Sequence, residues 1–260
     1  MHSEERARWI LQTLEQRGFI SFHELEKQLT ESAATIRRDL RQLDEAGLVT
    51  RVRGGVKRAG HLPASTSRST LSGVPFHENI HRNRPQKELI GRAAAKLCNP
   101  GEGVMIDGGS TTLQMCPHLA GLNLQVLTNS LHIVNALLTQ AGTRILVPSG
   151  QVFPEQNILL SAAGEDGMPR FHAPRLFLGA ASVGPAGLMQ ADFILVAGER
   201  LFIDRADEII VMVDSSKFDG PSGHVVCPLE DIDTIITDAA IAPRHLLMLE
   251  KARVEILIAR

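Results

Sequence analysis

The chain has 260 residues, 43% of them hydrophobic and 22% charged, with a formal net charge of −2. That profile fits a soluble globular protein with room for one large domain, or for a small domain plus a medium one, and excludes a fibrous or disordered chain. No apolar run approaches the ~20 residues that span a bilayer. The opening residues carry mixed charges and lack the apolar core of a secretory leader, and Cys98, Cys116 and Cys227 have neither metal-ligand spacing nor a disulfide pattern. The expected setting is cytoplasmic, with no membrane partner, no metal and no cofactor.

Charge is unevenly distributed: residues 1–60 carry a net +2, the remainder −4, and 35–60 alone +4. A local positive excess of this kind is the electrostatic footprint of a nucleic-acid surface. In residues 4–17, Ala7, Ile10, Leu11 and Leu14 fall on one helical stripe that Gly18 ends. Ser21 and Glu24 have the spacing of a capping box for a second helix running to about Leu29. Residues 32–47 then place Ala33, Ile36, Leu40, Leu43 and Ala46 on a packing face, and Thr35, Arg37, Arg38 and Arg41 on the opposite one. Such a helix on its own is an ordinary solvated basic face. Following a short helix and a tight turn, it predicts a helix-turn-helix. Val52 and Val56 flank Gly54-Gly55, which predicts a basic hairpin carrying Arg51 and Arg53, a wing against backbone phosphates.

The ordered run Ser32-Ala33-Ala34-Thr35-Ile36-Arg37-Arg38-Asp39-Leu40, with Leu43, Gly47 and the wing sequence 51–55, resembles the N-terminal signature of DeoR-family bacterial transcription regulators. By position, the resemblance implies that Ser32, Thr35, Arg37 and Arg38 lie at the surface of double-stranded operator DNA. Arg37 or Arg38 can read guanine bidentately, although phosphate contact is the commoner role of an interface arginine. Asp39 is expected to pair internally with a neighbouring arginine.

Residues 58–74 are rich in Ser, Thr, Gly and Pro and predict a linker. The expected domains are therefore a winged helix-turn-helix over 1–58, a linker over 59–75 and an α/β domain over 76–260. His77-Glu78-Asn79-Ile80-His81 formally matches the His-Glu-x-x-His pattern of zinc peptidases. Squeezed between linker and Pro85, with no evident third ligand, it is expected to form a short polar helix instead.

From Gln86 onward, helices alternate with short apolar strands. Helices are predicted over 87–97, 111–119, 133–138, 193–203 and 243–251, and strands over 104–106, 125–127, 144–147, 175–178, 208–213, 234–237 and 254–258. This alternation predicts a Rossmann-like parallel sheet covered on both faces. Ligands of such sheets bind at the C-terminal strand ends, which here carry small polar residues. They are Asp107-Gly108-Gly109-Ser110-Thr111, Thr128-Asn129-Ser130, a turn ending in Gly150, Gly179, and Asp214-Ser215-Ser216-Lys217. Singly, each is ordinary turn and cap chemistry; together they describe an anion pocket with Lys217 as its fixed cation.

The same blocks resemble the effector domain of the DeoR family, which is similar in fold to ribose-5-phosphate isomerase. The resemblance implies a phosphorylated sugar or sugar derivative as effector, with Lys87 near the pocket. Ala180 and Ala181 stand where the isomerases carry a carboxylate, which disfavours the alternative of a sugar-phosphate isomerase-like enzyme with an accessory DNA-binding domain. The stretch from Leu188 through Asp192, Glu199 and Arg200 to Lys217 is similar to the family's ascorbate-utilisation repressors. Glu199 is either an acid of the pocket or a solvated helix residue. Palindromic operators lead one to expect a homodimer or tetramer, and carbohydrate-operon repression is the expected role.

Overall fold

The computed structural model describes residues 3–17, 19–29, 31, 33–45, 48–52, 55–58, 74–161, 167–220 and 223–260. The chain divides into two compact units, Met1–Ser69 and Thr70–Arg260. Of the predicted linker over 59–75, residues 59–73 lie outside the described residues, as do Gly18, Ser32, Ala46, Gly47, Arg53 and Gly54.

The first unit contains α1 (Ser3–Arg17), β1 (Phe19–Ser21), α2 (Phe22–Leu29), α3 (Ala33–Glu45), β2 (Val49–Val52) and β3 (Gly55–Arg58). Its core consists of Ile10, Leu14, Ile20, Leu25, Leu29, Ile36, Leu40, Leu43, Val49 and Val56. The helical stripes read from the sequence are thus the faces that meet. Ser21 closes a third strand, with Phe19, Ile20 and Ser21 pairing antiparallel with β3, and stands directly before α2 with Glu24 in its first turn, the positions of a capping box. The apolar pair Phe19-Ile20 is long enough to pair with a waiting sheet edge, and Ile20 becomes fully buried by doing so. Asp39 does pair internally, but its partner is distant in sequence. Arg6 of α1 donates to both carboxylate oxygens, at 2.7 and 3.2 Å, locking α1 across α3.

The second unit begins with α4 (Phe76–Asn79), α5 (Arg84–Ala95), β4 (Gly103–Ile106), a 3-10 helix (Thr112–His118), β5 (Gln125–Leu127), α6 (Leu131–Leu137), β6 (Arg144–Leu146), β7 (Gln151–Phe153) and β8 (Ile158–Leu160). It continues with β9 (Ala173–Leu178), β10 (Ser182–Gly184), β11 (Gly187–Gln190), α7 (Phe193–Ile203), β12 (Ala206–Met212) and a second 3-10 turn (Ser215–Asp219). It closes with β13 (His224–Cys227), a third 3-10 turn (Leu229–Asp231), β14 (Thr234–Asp238), α8 (Pro243–Lys251) and β15 (Glu255–Ala259). The predicted strands form one seven-stranded sheet in the order β15-β14-β12-β9-β4-β5-β6, parallel throughout.

Successive side chains of these strands enter opposite cores, as the two-residue strand period requires. Met105, Leu127, Leu176, Leu178, Val211 and Ile235 pack in one cluster, and Val104, Ile106, Val126, Phe177, Ile210 and Ile236 in the other. Burial on both faces is why these strands read as apolar runs rather than alternations.

Three local features differ from the sequence reading. Pro85 lies in the first turn of α5, where its missing N–H costs nothing, instead of ending a preceding helix. The helix expected over 111–119 is a 3-10 helix with Pro117 inside it, a residue that cannot supply an α-helical donor. The hairpin β7–β8 and the antiparallel sheet β10-β11-β13 were not legible as strands. The short helix expected around His77–His81 is present as α4, and because it stops at Asn79, His77 and His81 are not presented on one helix. Both are exposed, and a two-histidine zinc face is absent from this segment.

Leu40 is buried between α3 and the rest of the N-terminal core, and Leu40→Ala is expected to cost about 2–5 kcal/mol. Trp9, the chain's only tryptophan, packs against that core, so its fluorescence in a urea titration reads the loss directly. A change below about 1 kcal/mol would mean α3 is not seated on this face.

Candidate functional site

The sheet reverses direction of growth between β4 and β9: the chain adds β5 and β6 on one side, and β12, β14 and β15 on the other. Neighbouring crossovers leave a crevice at the carboxyl ends of the two strands flanking such a switch point. Asp107 follows β4 there, its amide donating to Phe177 O at 2.9 Å, and Gly179 follows β9. A methyl group at Gly179 would find Gly109 Cα at 4.0 Å and nothing nearer; one at Gly109 would meet only Thr112 Oγ1, at 3.1 Å, before reaching Gly179. Neither glycine has a positive φ. The backbone conformation does not demand glycine at these places; the two turns pass each other at contact distance, and side chains there would crowd the mouth of the crevice.

The remaining predicted residues divide into those facing this space and those spent on local structure. Asn129 Nδ2 donates to Asp107 Oδ1 at 3.2 Å, joining two strand ends. Thr128 Oγ1 accepts from Ser130 N, and Ser130 Oγ caps α6 by accepting from Ile133 N. Ser110 and Thr111 are buried in the turn, where Ser110 O accepts from Gln114. Thr112 Oγ1 braces the turn by donating to Asp107 O at 2.7 Å. Gly108 is a packing residue, since a Cβ would lie 2.5 Å from Ile158 of the β7–β8 hairpin. Gly150 is glycine for backbone reasons: φ is +156° and a Cβ would collide with Leu160 O.

On the far side of the crevice, Asp214 caps the turn carrying Lys217 by accepting from Ser216 N at 3.1 Å. Asn83, held in the left-handed region at φ 49°, donates to Asp214 at 2.8 Å and to Ser216 Oγ at 3.1 Å. Lys87 is almost fully buried and donates to Asn79 O and Oδ1. Burial, and then the charge of Lys217, pull its ammonium down to about 8. Lys217 is lowered in the same way by burial, against the raising effect of Asp214. Arg82 adds a third positive charge to this group.

Glu199 is not a solvated helix residue. It is 4% exposed on the inner face of α7, Gln190 Nε2 donates to its Oε1 at 2.6 Å, and burial followed by the Asp107 charge holds its carboxyl well above the ordinary range. Asp107 is itself pushed up to about 6 by burial. Asp192 caps α7 by accepting from Ile194 N, and Arg200 donates to Val225 O and Val226 O, so both are structural. Gln190, Asn83 and Arg82 were missed. The one available signal was Glu199 itself, a lone acid three residues before Phe202 on the buried face of an apolar helix. A groove of about 350 Å³ between α5, the first 3-10 helix and α6 holds none of these residues.

In the first unit, Arg37, Arg38 and Arg41 are exposed on α3 opposite Ile36, Leu40 and Leu43. The Arg37 guanidinium sits 5.1 Å over the Phe22 ring, which orients it from α2. Thr35 is half-buried at the same end of α3. Arg51 lies in β2.

A family model described as the DeoR C terminal sensor domain matches residues 82–239, and a DeoR-like helix-turn-helix domain matches residues 6–60. The chain belongs to the DeoR family. As a DeoR-family member it is a DNA-binding transcriptional regulator and not an enzyme. It is 29% identical over 257 residues, 99% of either chain, to the HTH-type transcriptional regulator UlaR of Shigella dysenteriae serotype 1 (strain Sd197). The same figures hold for UlaR of Escherichia coli O1:K1 / APEC. Among solved structures, ribose 5-phosphate isomerase A of Methanocaldococcus jannaschii matches 52% of this chain and 55% of its own, at 17% identity and a TM-score of 0.40. The δ subunit of eIF2B from Chaetomium thermophilum matches 60% and 56%, at 16% identity and 0.41. The chain thus spans about half the length of these structures. A carboxyl does stand in this crevice, contributed by α7, so it is the family and not a missing acid that decides against the isomerase alternative. Among the described residues, no helix is long and apolar enough to cross a membrane.

The raised Asp107 carboxyl implies a pH dependence of stability. Its folded-state pKa of about 6 lies above the ordinary 3.8, so its contribution is fully present below about pH 4 and is lost as pH rises through 6. Asp107→Asn keeps an acceptor for Asn129 and removes the titration. It is expected to melt about 5 °C above the parent at pH 7.5 and within about 1 °C of it at pH 4. A difference that does not change with pH would refute the raised value.

Proposed function

We propose that the chain represses a carbohydrate-utilisation operon and is controlled by a phosphorylated sugar or sugar derivative bound in the β4/β9 crevice. The observation that supports this reading is the close approach of the side-chain-free backbone at Gly109 and Gly179 at the switch point, beside the turn that carries Lys217. A small ligand can approach backbone there, with its phosphate near Lys217 and Ser216 and its carbon chain toward Asp107. From β4 to β12 is two strand spacings, about 10 Å, which suits a small phosphorylated sugar. Effector binding alters operator affinity only by favouring one arrangement of the chain over another. Two half-sites on a palindromic operator call for a homo-oligomer, a dimer or a pair of dimers. The domains are taken as 1–58, 59–75 and 76–260, in a cytoplasmic protein.

On the DNA side, α3 is taken as the recognition helix. Thr35, Arg37 and Arg38, with Ser32 before it, meet the operator, and Arg51 and Arg53 bring the wing to backbone phosphates. Arg38→Ala is expected to weaken operator binding about tenfold or more while moving the melting temperature by less than about 1 °C. Fluorescence anisotropy at several salt concentrations checks it: a phosphate contact lowers the salt slope by about one, a base contact relaxes sequence preference at one position. Loss of folding in this variant would make Arg38 a structural residue.

For the crevice, a thermal-shift screen of sugar phosphates on the full chain identifies the effector, because a ligand bound only to the folded state raises its melting temperature. At about a hundred times its Kd the effector adds about 2.7 kcal/mol. Lys217→Ala is expected to forfeit most of that gain yet bind operator DNA unchanged. Full stabilisation of Lys217→Ala would remove the phosphate from this end.

A further inference from the structure

The crevice has two chemically distinct ends. Lys217, Lys87 and Arg82 gather with Asp214 at one of them. The other is built from Asp107, Asn129, Gln190 and Glu199, where Asn129 Nδ2 and the Gly108 backbone N–H bond Asp107 and Gln190 Nε2 donates to Glu199. Two buried atoms there have no hydrogen-bond partner, Asn129 Oδ1 and Glu199 Oε2, on side chains 5% and 4% exposed. Both flank Asp107, one by hydrogen bond and the other by charge. A buried polar atom without a partner costs about 1–3 kcal/mol, and two around one carboxyl mark a place where a ligand completes the bonding.

The chemistry of that ligand follows from what is missing. Asn129 Oδ1 can only accept, because its amide nitrogen is already committed to Asp107. The group that meets it must donate. Phosphate and carboxylate oxygens have no proton to give Asn129 Oδ1 and would add negative charge beside Asp107, with the crevice's cations grouped at the other end. A hydroxyl donates to Asn129 Oδ1 and can give to or take from Glu199 Oε2 in either protonation state.

Resting on the reading of the crevice as the effector site, we infer that its Asp107–Asn129–Glu199 end binds hydroxyl groups and rejects a carboxylate. The effector is then a phosphorylated sugar or polyol, not a phosphorylated sugar acid. Rejection arises because a carboxylate here leaves the orphan acceptor unpaired and is repelled, the arrangement by which buried polar groups give large discrimination. A purely structural Glu199 would need no such neighbours: its bond to Gln190 uses one oxygen and leaves the other idle.

The test uses the full chain and ligand pairs that differ only at the carbon farthest from phosphate: ribitol 5-phosphate against 5-phosphoribonate, glucitol 6-phosphate against 6-phosphogluconate, and erythritol 4-phosphate against 4-phosphoerythronate. Inorganic phosphate reports the cationic end alone. Calorimetric titration at pH 7.5 is expected to give one or more polyol phosphates binding at least about tenfold more tightly than both the matched acid and inorganic phosphate. Glu199→Gln turns the idle oxygen side into an amide that can donate, and is expected to narrow the preference within that pair by about tenfold. Asn129→Asp, a second variant with the orphan acceptor now charged, is expected to keep the preference. Equal or tighter binding of the acids, with Lys217→Ala weakening both members, overturns the inferred end while the crevice stands. Binding unaffected by Lys217→Ala, or stabilisation by none of the seven compounds, overturns the crevice and with it the inference.

Discussion

The order of strands in the parallel sheet is the constraint on which the second unit depends. Because the chain builds outward from β4 on one side and from β9 on the other, no crossover covers the gap between their carboxyl ends. That one reversal places the strand-end turns of the crevice, to which α5, β11 and α7 add Lys87, Gln190 and Glu199. Asp107 and Gly179 come from the flanking strands, and Asn129 and Lys217 come from the turns one strand farther out on either side. The two cores on the faces of the sheet fix the height and register of those strand ends. A turn of small residues therefore acquires a defined position without needing bonds of its own.

Within the crevice, charge is separated, with cations at the β12 end and carboxyls at the β4 end. Burial raises Asp107 to about 6 and lowers Lys87 to about 8, so each end holds its charge less firmly than a surface group does. Such a site sets the orientation of a ligand that is ionic at one end and hydroxylated at the other. It also carries a stability cost in the two unpartnered acceptors, of the kind found where a protein trades stability for recognition.

The first unit shows the same economy with different materials. Its small core and the bidentate Arg6–Asp39 pair hold α3 by one face, leaving Arg37, Arg38 and Arg41 outward. Asp39, which sits between basic residues in the sequence, is removed from the outer surface by turning inward to α1. A rigid seat beneath an exposed basic face is what docking a helix into a groove of DNA requires.

The sequence by itself determined the helices of the first unit, the division of α3 into apolar and basic faces, the parallel sheet and the turns at its strand ends, because these are written in local periods of 3.6 and 2 residues and in turn-forming residues. It also carried the family, through long ordered motifs at both ends of the chain. Tertiary structure alone decided which turn residues are spent on packing, capping and backbone geometry. Gly108, Gly109, Gly150 and Gly179 look alike in sequence, yet Gly108 makes room for Ile158, Gly150 adopts a positive φ, and Gly109 and Gly179 let two strand ends approach each other. It likewise decided that Glu199 is buried beside Asp107, that Arg6 is the partner of Asp39, and that β1 joins the wing. Each is a contact between residues far apart in sequence, and its free energy depends on burial and neighbours that no local pattern encodes.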